Sequence, residues 1–189
     1  MSYYQILPDH VAHPQLWHLI EPLDEHGALL DPCDFIEGVP YRGTRPVCVR
    51  MTHPGEPLAF NLAAFEMPVV TSEIADLLSE LAPQDLEIFP VRVANTNQRF
   101  AILNVIALAD CLDEQRSIFT RWTADSSRPD LLGQIKMISR IRLDPSRVGD
   151  HQLFRLDGWP LALLVSESAR RVIESVPNAG VIFDPVVDT

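Results

Sequence analysis

The amino-acid sequence predicts an α+β fold in which a mostly antiparallel or mixed β-sheet carries two short helices packed on it. Three observations lead there: short apolar runs rich in β-branched residues, two segments with helical spacing, and a weak self-similarity at a constant offset. In chain order, residues 47–51, 86–93, 100–108, 135–143, 161–165 and 181–183 have the length and composition of strands. The 16 prolines punctuate these runs, and no Ser/Gly-rich linker or low-complexity tract occurs. Between them, Ile74, Leu77, Leu78 and Leu81 fall on one face of a helix that starts at Ser72, and Ala169, Val172, Ile173 and Val176 do the same after Ser166. Shifted by 94 positions, Gly55, Phe60, Leu62, Ser72, Glu73, Ala75, Glu80, Pro83, Ile88 and Phe89 coincide with identical residues from Gly149 to Phe183. The matches mark a helix start, a helix end and the next strand, so the expected internal repeat reads strand, Ser-Glu turn, helix, Pro-marked loop, strand.

A chain of 189 residues is long enough to bury roughly 70% of its unfolded surface without a disulfide or metal staple. It is expected to form one domain over 1–189, or two fused halves, an acidic one over 1–95 and a neutral one over 96–189. The three cysteines, Cys33, Cys48 and Cys111, are odd in number, lack the spacing of a zinc knuckle or redox pair, and read as small buried hydrophobes. The first residues lack the basic and apolar regions of a secretory signal, and the longest apolar stretch, 100–112, is broken by Asn104 and Asp110. A cytoplasmic location is the expectation. The net charge of −11 argues against nucleic acid or an anionic membrane as partner and for a basic protein. Its distribution is uneven: residues 1–91 hold 14 acids against Arg42, Arg45 and Arg50, whereas residues 92–189 hold 12 acids and 12 bases.

Four constellations invite a chemical reading. Ser72-Glu73 and Ser166-Glu167 each follow an apolar strand, but neither lies in Gly-x-Ser-x-Gly, and a serine cap with a glutamate at the positive end of the helix dipole explains both. His10, His13 and His18 crowd near Asp9, yet Pro8 and Pro14 deny them a common helix face and no zinc motif accompanies them, so no metal is expected. Cys48 and His53 would need to meet in space to act as a dyad. Asp110, Asp113 and Glu114 offer carboxylates for acid–base work or simply an acidic turn, without EF-hand spacing or a phosphate-cradling glycine loop. No catalytic residue and no cofactor is therefore assigned. The feature that asks for a partner is the outer side of the first helix, where Glu73, Asp76 and Glu80 form one acidic stripe. Like charges at that spacing repel by a few tenths of a kcal/mol per pair, so the stripe is slightly costly unless something basic meets it.

A longer series runs through Tyr3-Tyr4, Trp17-His18-Leu19, Gly27 with Asp31-Pro32, Phe35-x-x-Gly38, Leu58-x-Phe60, Pro68-Val69-Val70 and Pro90-Val91. It continues through Leu103-Asn104-Val105, Asp110-Cys111-Leu112-Asp113, Ser117, Phe154-Arg155, Val165-Ser166-Glu167 and Gly180-Val181-x-Phe183. In this order the chain resembles immunity protein family 11 of bacterial polymorphic toxin systems over almost its whole length. The resemblance implies a cytoplasmic, non-enzymatic protein that binds and neutralises a cognate toxin domain, and it supplies no active site to carry over. The acidic half suits electrostatically steered capture of a basic toxin. The runner-up is a hydrolase or transferase built around Asp110 and Asp113, and self-association is left open.

Overall fold

Helix α1 (Ser72–Leu81) buries Ile74, Ala75 and Leu78, and helix α2 (Glu167–Glu174) buries Ala169 and Ile173, the faces expected from their apolar spacing. The computed structural model describes residues 2–187, in which these two helices stand among thirteen strands. Six of the strands form a sheet in the order β2 (His18–Leu23), β3 (Cys48–His53), β6 (Leu86–Val93), β7 (Phe100–Val105), β5 (Met67–Thr71), β4 (Phe60–Ala63). Five form a second sheet in the order β13 (Val181–Pro185), β1 (Tyr3–Pro8), β12 (Trp159–Ser166), β11 (Leu153–Leu156), β8 (Leu108–Ala109). A separate antiparallel ribbon pairs β9 (Ile118–Arg121) with β10 (Ile135–Arg140). Most ladders are antiparallel, and the exceptions are β3 with β6 and β8 with β11. The α+β class is as expected.

The two-residue period of a strand sends alternate side chains to opposite faces, and both sheets use this to serve two cores. On β7, Ala101, Leu103 and Val105 join the helices, while Phe100 and Ile102 pack on the other side with Trp17, Phe35 and Val49. On β12, Leu163 and Val165 join the same helices, while Ala162 and Leu164 pack outward with Tyr3, Phe154 and Val148. The helices α1 and α2 lie against each other and take contacts from one face of each sheet. The six-stranded sheet curls, so that β2 at one end of its order comes against β4 at the other. That seam positions the site described below.

The internal repeat is present and larger than the strand–helix–strand unit expected. A hairpin β4–β5, helix α1 and strand β6 recur as hairpin β11–β12, helix α2 and strand β13. In the first sheet β7 lies between β5 and β6; in the second, β1 lies between β12 and β13. Register is conserved too, since Ile88 and Phe89 face Leu103 and Ile102 while Ile182 and Phe183 face Leu7 and Ile6. Several boundaries differ from expectation. The run 100–108 divides into β7 and the two-residue β8, and the run 135–143 stops as a strand at Arg140, with Leu143 making only an isolated bridge to Leu112. Of the cysteines only Cys111 is buried; Cys33 and Cys48 are half-buried. No helix among the described residues is long and apolar enough to cross a membrane.

Candidate partner-binding surface

The acidic stripe is where the helical spacing puts it. Glu73, Asp76 and Glu80 are all exposed on α1, and among the described residues none of the three forms an ion pair. The equivalent face of α2 is neutralised internally, with Arg171 on Glu167 at 2.9 Å and Arg170 on Glu174 at 3.0 Å. The guanidinium of Arg170 also lies 4.7 Å from the ring centre of Tyr4. Two copies of one supersecondary unit therefore present different surfaces, one with free anions and one with charge already paired.

The two Ser-Glu turns also differ. Ser166 Oγ accepts from the Ala169 N–H at 3.2 Å and donates to Gln152 Oε1 at 2.6 Å, a cap as expected. Ser72 does not cap: it is already inside the helix, Thr71 takes the N-cap position without a side-chain bond, and Thr71 Oγ1 is buried with no partner among the described residues. The remaining candidates disperse. Asp110 pairs with Arg147 and Glu114 with Arg121 at 2.6 Å, while Asp113 accepts from the backbone N–H groups of Gln115 and Arg116. Asp110 and Asp113 are thus held by different partners, and Asp113 serves a turn. Cys48 and His53 close opposite ends of β3, about 16 Å apart at the rise of a strand. Burial pushes the Cys111 thiol up to about 12, far from the thiolate that nucleophilic chemistry needs. His13 contacts Glu56 at 3.1 Å, and His18 packs edge-on against His53 across the β2–β3 pair. Among the described residues no group of three or more His, Cys, Asp or Glu converges on a metal position.

A pocket of about 260 Å³ opens at the seam between β2 and β4, lined by Trp17, Leu58, Phe60, Leu62, Glu66 and Val181 among others, with the exposed His10 and His18. Trp17 Nε1–H donates to Asn61 Oδ1 at 2.5 Å, and Asn61 Nδ2 donates to the carbonyls of Leu58 and Val69, so the buried polar groups at its base satisfy each other. The backbone of 178–180 closes one side through Ala59 N–H to Asn178 O and Phe60 N–H to Ala179 O. Gly180 has φ +76°, and a Cβ there would collide with Leu58, so the position requires glycine.

The β4–β5 turn overhanging this pocket is the backbone feature that sequence reading missed. Phe65 and Glu66 are consecutive non-glycine residues at positive φ, 56° and 62°, a conformation costing of order 1–3 kcal/mol at each. The fully buried Arg155 holds the turn, donating to the Glu66 carbonyl at 3.1 Å and to the Pro160 carbonyl at 3.0 Å. Burial lowers its guanidinium to about 9, which leaves it charged at neutral pH. Glu66's own carboxyl is raised above the usual range because desolvation outweighs the attraction of Arg155 and His10. Phe65 is left 59% exposed at the tip.

A model of the immunity protein family Imm11 matches residues 10–188. The chain belongs to the Imm11 immunity protein family. No curated protein matches it. Membership in Imm11 gives the surface features their context, because an immunity protein acts by neutralising a toxin.

Proposed function

We propose that the chain is a non-enzymatic immunity protein of a bacterial polymorphic toxin system, folded as one domain in the cytoplasm, that binds a basic cognate toxin through the outer face of α1. The observation that carries this reading is the contrast between the helices: Glu73, Asp76 and Glu80 are exposed and unpaired, whereas the acids of α2 are already met by Arg170 and Arg171. Unpaired like charges along one helix are worth keeping when a cationic surface meets them. The net charge of −11 adds long-range attraction that speeds encounter and fades with salt.

Affinity capture of the tagged protein from its native host at low salt, with mass spectrometry of the eluate, tests the reading. A stoichiometric basic toxin domain released as salt rises supports it; a preparation without such a partner at either salt sinks it. With that partner in hand, reversal of Glu73, Asp76 and Glu80 to Lys is expected to weaken binding at least tenfold at low salt, mainly by slowing association. Unchanged affinity in that triple variant would remove the α1 face from the interface.

A further inference from the structure

We propose that the pocket at the β2–β4 seam is a socket for one basic side chain of the partner protein. Its carbon stem would lie on Trp17, Leu58, Phe60 and Leu62, and its charge would meet the Glu66 carboxylate. The inference rests on the partner-binding reading above and deepens it by naming the chemistry of one contact.

Size points to a single side chain. At about 260 Å³ the pocket falls below the roughly 300–1,000 Å³ typical of small-molecule sites, while its apolar walls suit the methylene stem of arginine or lysine. Polarity points to a cation. The Trp17 and Asn61 groups are consumed by one another, whereas Glu66 lines the pocket and its carboxylate makes no hydrogen bond or ion pair among the described residues. Desolvation already disfavours its charge in the free protein, so an incoming cation would relieve a cost that the fold carries. Preorganisation points to function. Arg155 clamps the turn in a strained conformation from below, fixing Glu66 before any partner arrives and holding Phe65 outward beside the pocket. An exposed aromatic next to a charged socket is the composition of an interface hot spot with its water-excluding rim. The charge of residues 1–91, which supply all the lining except Gly180 and Val181, favours the same occupant.

The test is an NMR titration of the ¹⁵N-labelled full chain with N-acetyl-arginine amide, using the neutral N-acetyl-citrulline amide as its near-isostere. A probe of this size binds a single socket in the millimolar range. Saturable shifts at the Trp17 indole N–H and the Phe65 and Glu66 amides are expected, with citrulline at least tenfold weaker and Glu66→Gln erasing the difference. No saturable shift at these groups up to about 50 mM, or equal binding of the two probes, overturns the proposal. Stability of Glu66→Gln separates a binding role from a merely structural one: a carboxylate kept only as counter-charge to Arg155 would leave the variant less stable than wild type. The titration needs no toxin. A captured toxin that binds Glu66→Gln as tightly as wild type overturns the socket and leaves the immunity reading standing. A saturable arginine site in a protein that captures no toxin does the reverse.

Discussion

Arg155 is charged and fully buried, and its terminal nitrogens donate to backbone carbonyls from both repeats, Glu66 in the first and Pro160 and Leu161 in the second, while its Nε finds no partner among the described residues. Truncation to Ala would leave those carbonyls unmet and a cavity behind, so Arg155→Ala is expected to cost about 3–5 kcal/mol in urea unfolding. Arg155→Met, which refills the volume, should recover part of that loss; if both variants unfold at the wild-type midpoint, the clamp has no energetic role. Glu66 behaves in the opposite sense. Its folded-state carboxyl is raised above the ordinary value of 4.5, so between that value and its folded one the folded protein holds a proton that the unfolded chain has released. Stability attributable to Glu66 therefore falls as pH rises through that window. Urea midpoints of wild type and Glu66→Gln should converge below pH 4.5 and separate in the variant's favour toward neutrality, and separation in favour of wild type would reverse the assignment. Neither residue could be singled out in the sequence by chemistry. Phe154-Arg155-Leu156 reads as an amphipathic strand edge, and nothing local reveals that its arginine points into the protein toward a turn 89 positions away.

The two helices show what an element's sequence does and does not specify. Both were legible from apolar spacing, because the buried face is a property of the helix alone. Their identical Ser-Glu starts were not, because capping depends on how the preceding strand delivers the chain. Only Ser166 lies outside its helix with its oxygen turned to the first-turn N–H groups. Ser166→Ala is accordingly expected to cost about 1–2 kcal/mol, whereas Ser72→Ala should stay within about 0.5 kcal/mol; equal losses in chemical denaturation would contradict the difference in caps. Strands followed the same logic. The run 86–93 was readable throughout because β6 is rich in β-branched residues and lies between two neighbours. β1, β2 and β4 escaped notice, since Tyr3-Tyr4-Gln5, Glu21-Pro22 and Asn61 dilute the local signal, whereas β5 was expected from its place before the Ser-Glu turn. β1 is held by pairing with distant strands, with Tyr4 between Val165 and Pro185, and β2 by pairing with β3, while β4 is held by its hairpin partner β5.

At the scale of the whole molecule, the repeat was legible as matched punctuation, but its completing strand was not, because the two copies draw that strand from opposite directions along the chain. In the first unit β7 follows β6 through a connection over 94–99; in the second, the equivalent place between β12 and β13 is taken by β1 from near the start of the chain. Corresponding residues nonetheless meet in the same register, so position in the sheet, and not order in the sequence, determines what β1 does. β13 and β1 are antiparallel, Tyr4 lies opposite Pro185, and Val186 N–H bonds to Tyr3 O, which brings the ends of the two strands together. A circular permutant that starts at His13 and joins Val187 to Ser2 through about six Gly/Ser residues would give the second unit the chain order of the first. Its new ends fall in the exposed turn after β1, where such cuts are tolerated. The permutant is expected to fold with an unchanged urea m-value and a Tm within about 5 °C of wild type, since the native contacts are kept and only one loop closure is exchanged for another. A permutant that is soluble but lacks cooperative unfolding would show that β1 must be laid down before β12 and β13, and that the two units, alike in register, are not alike in how they assemble.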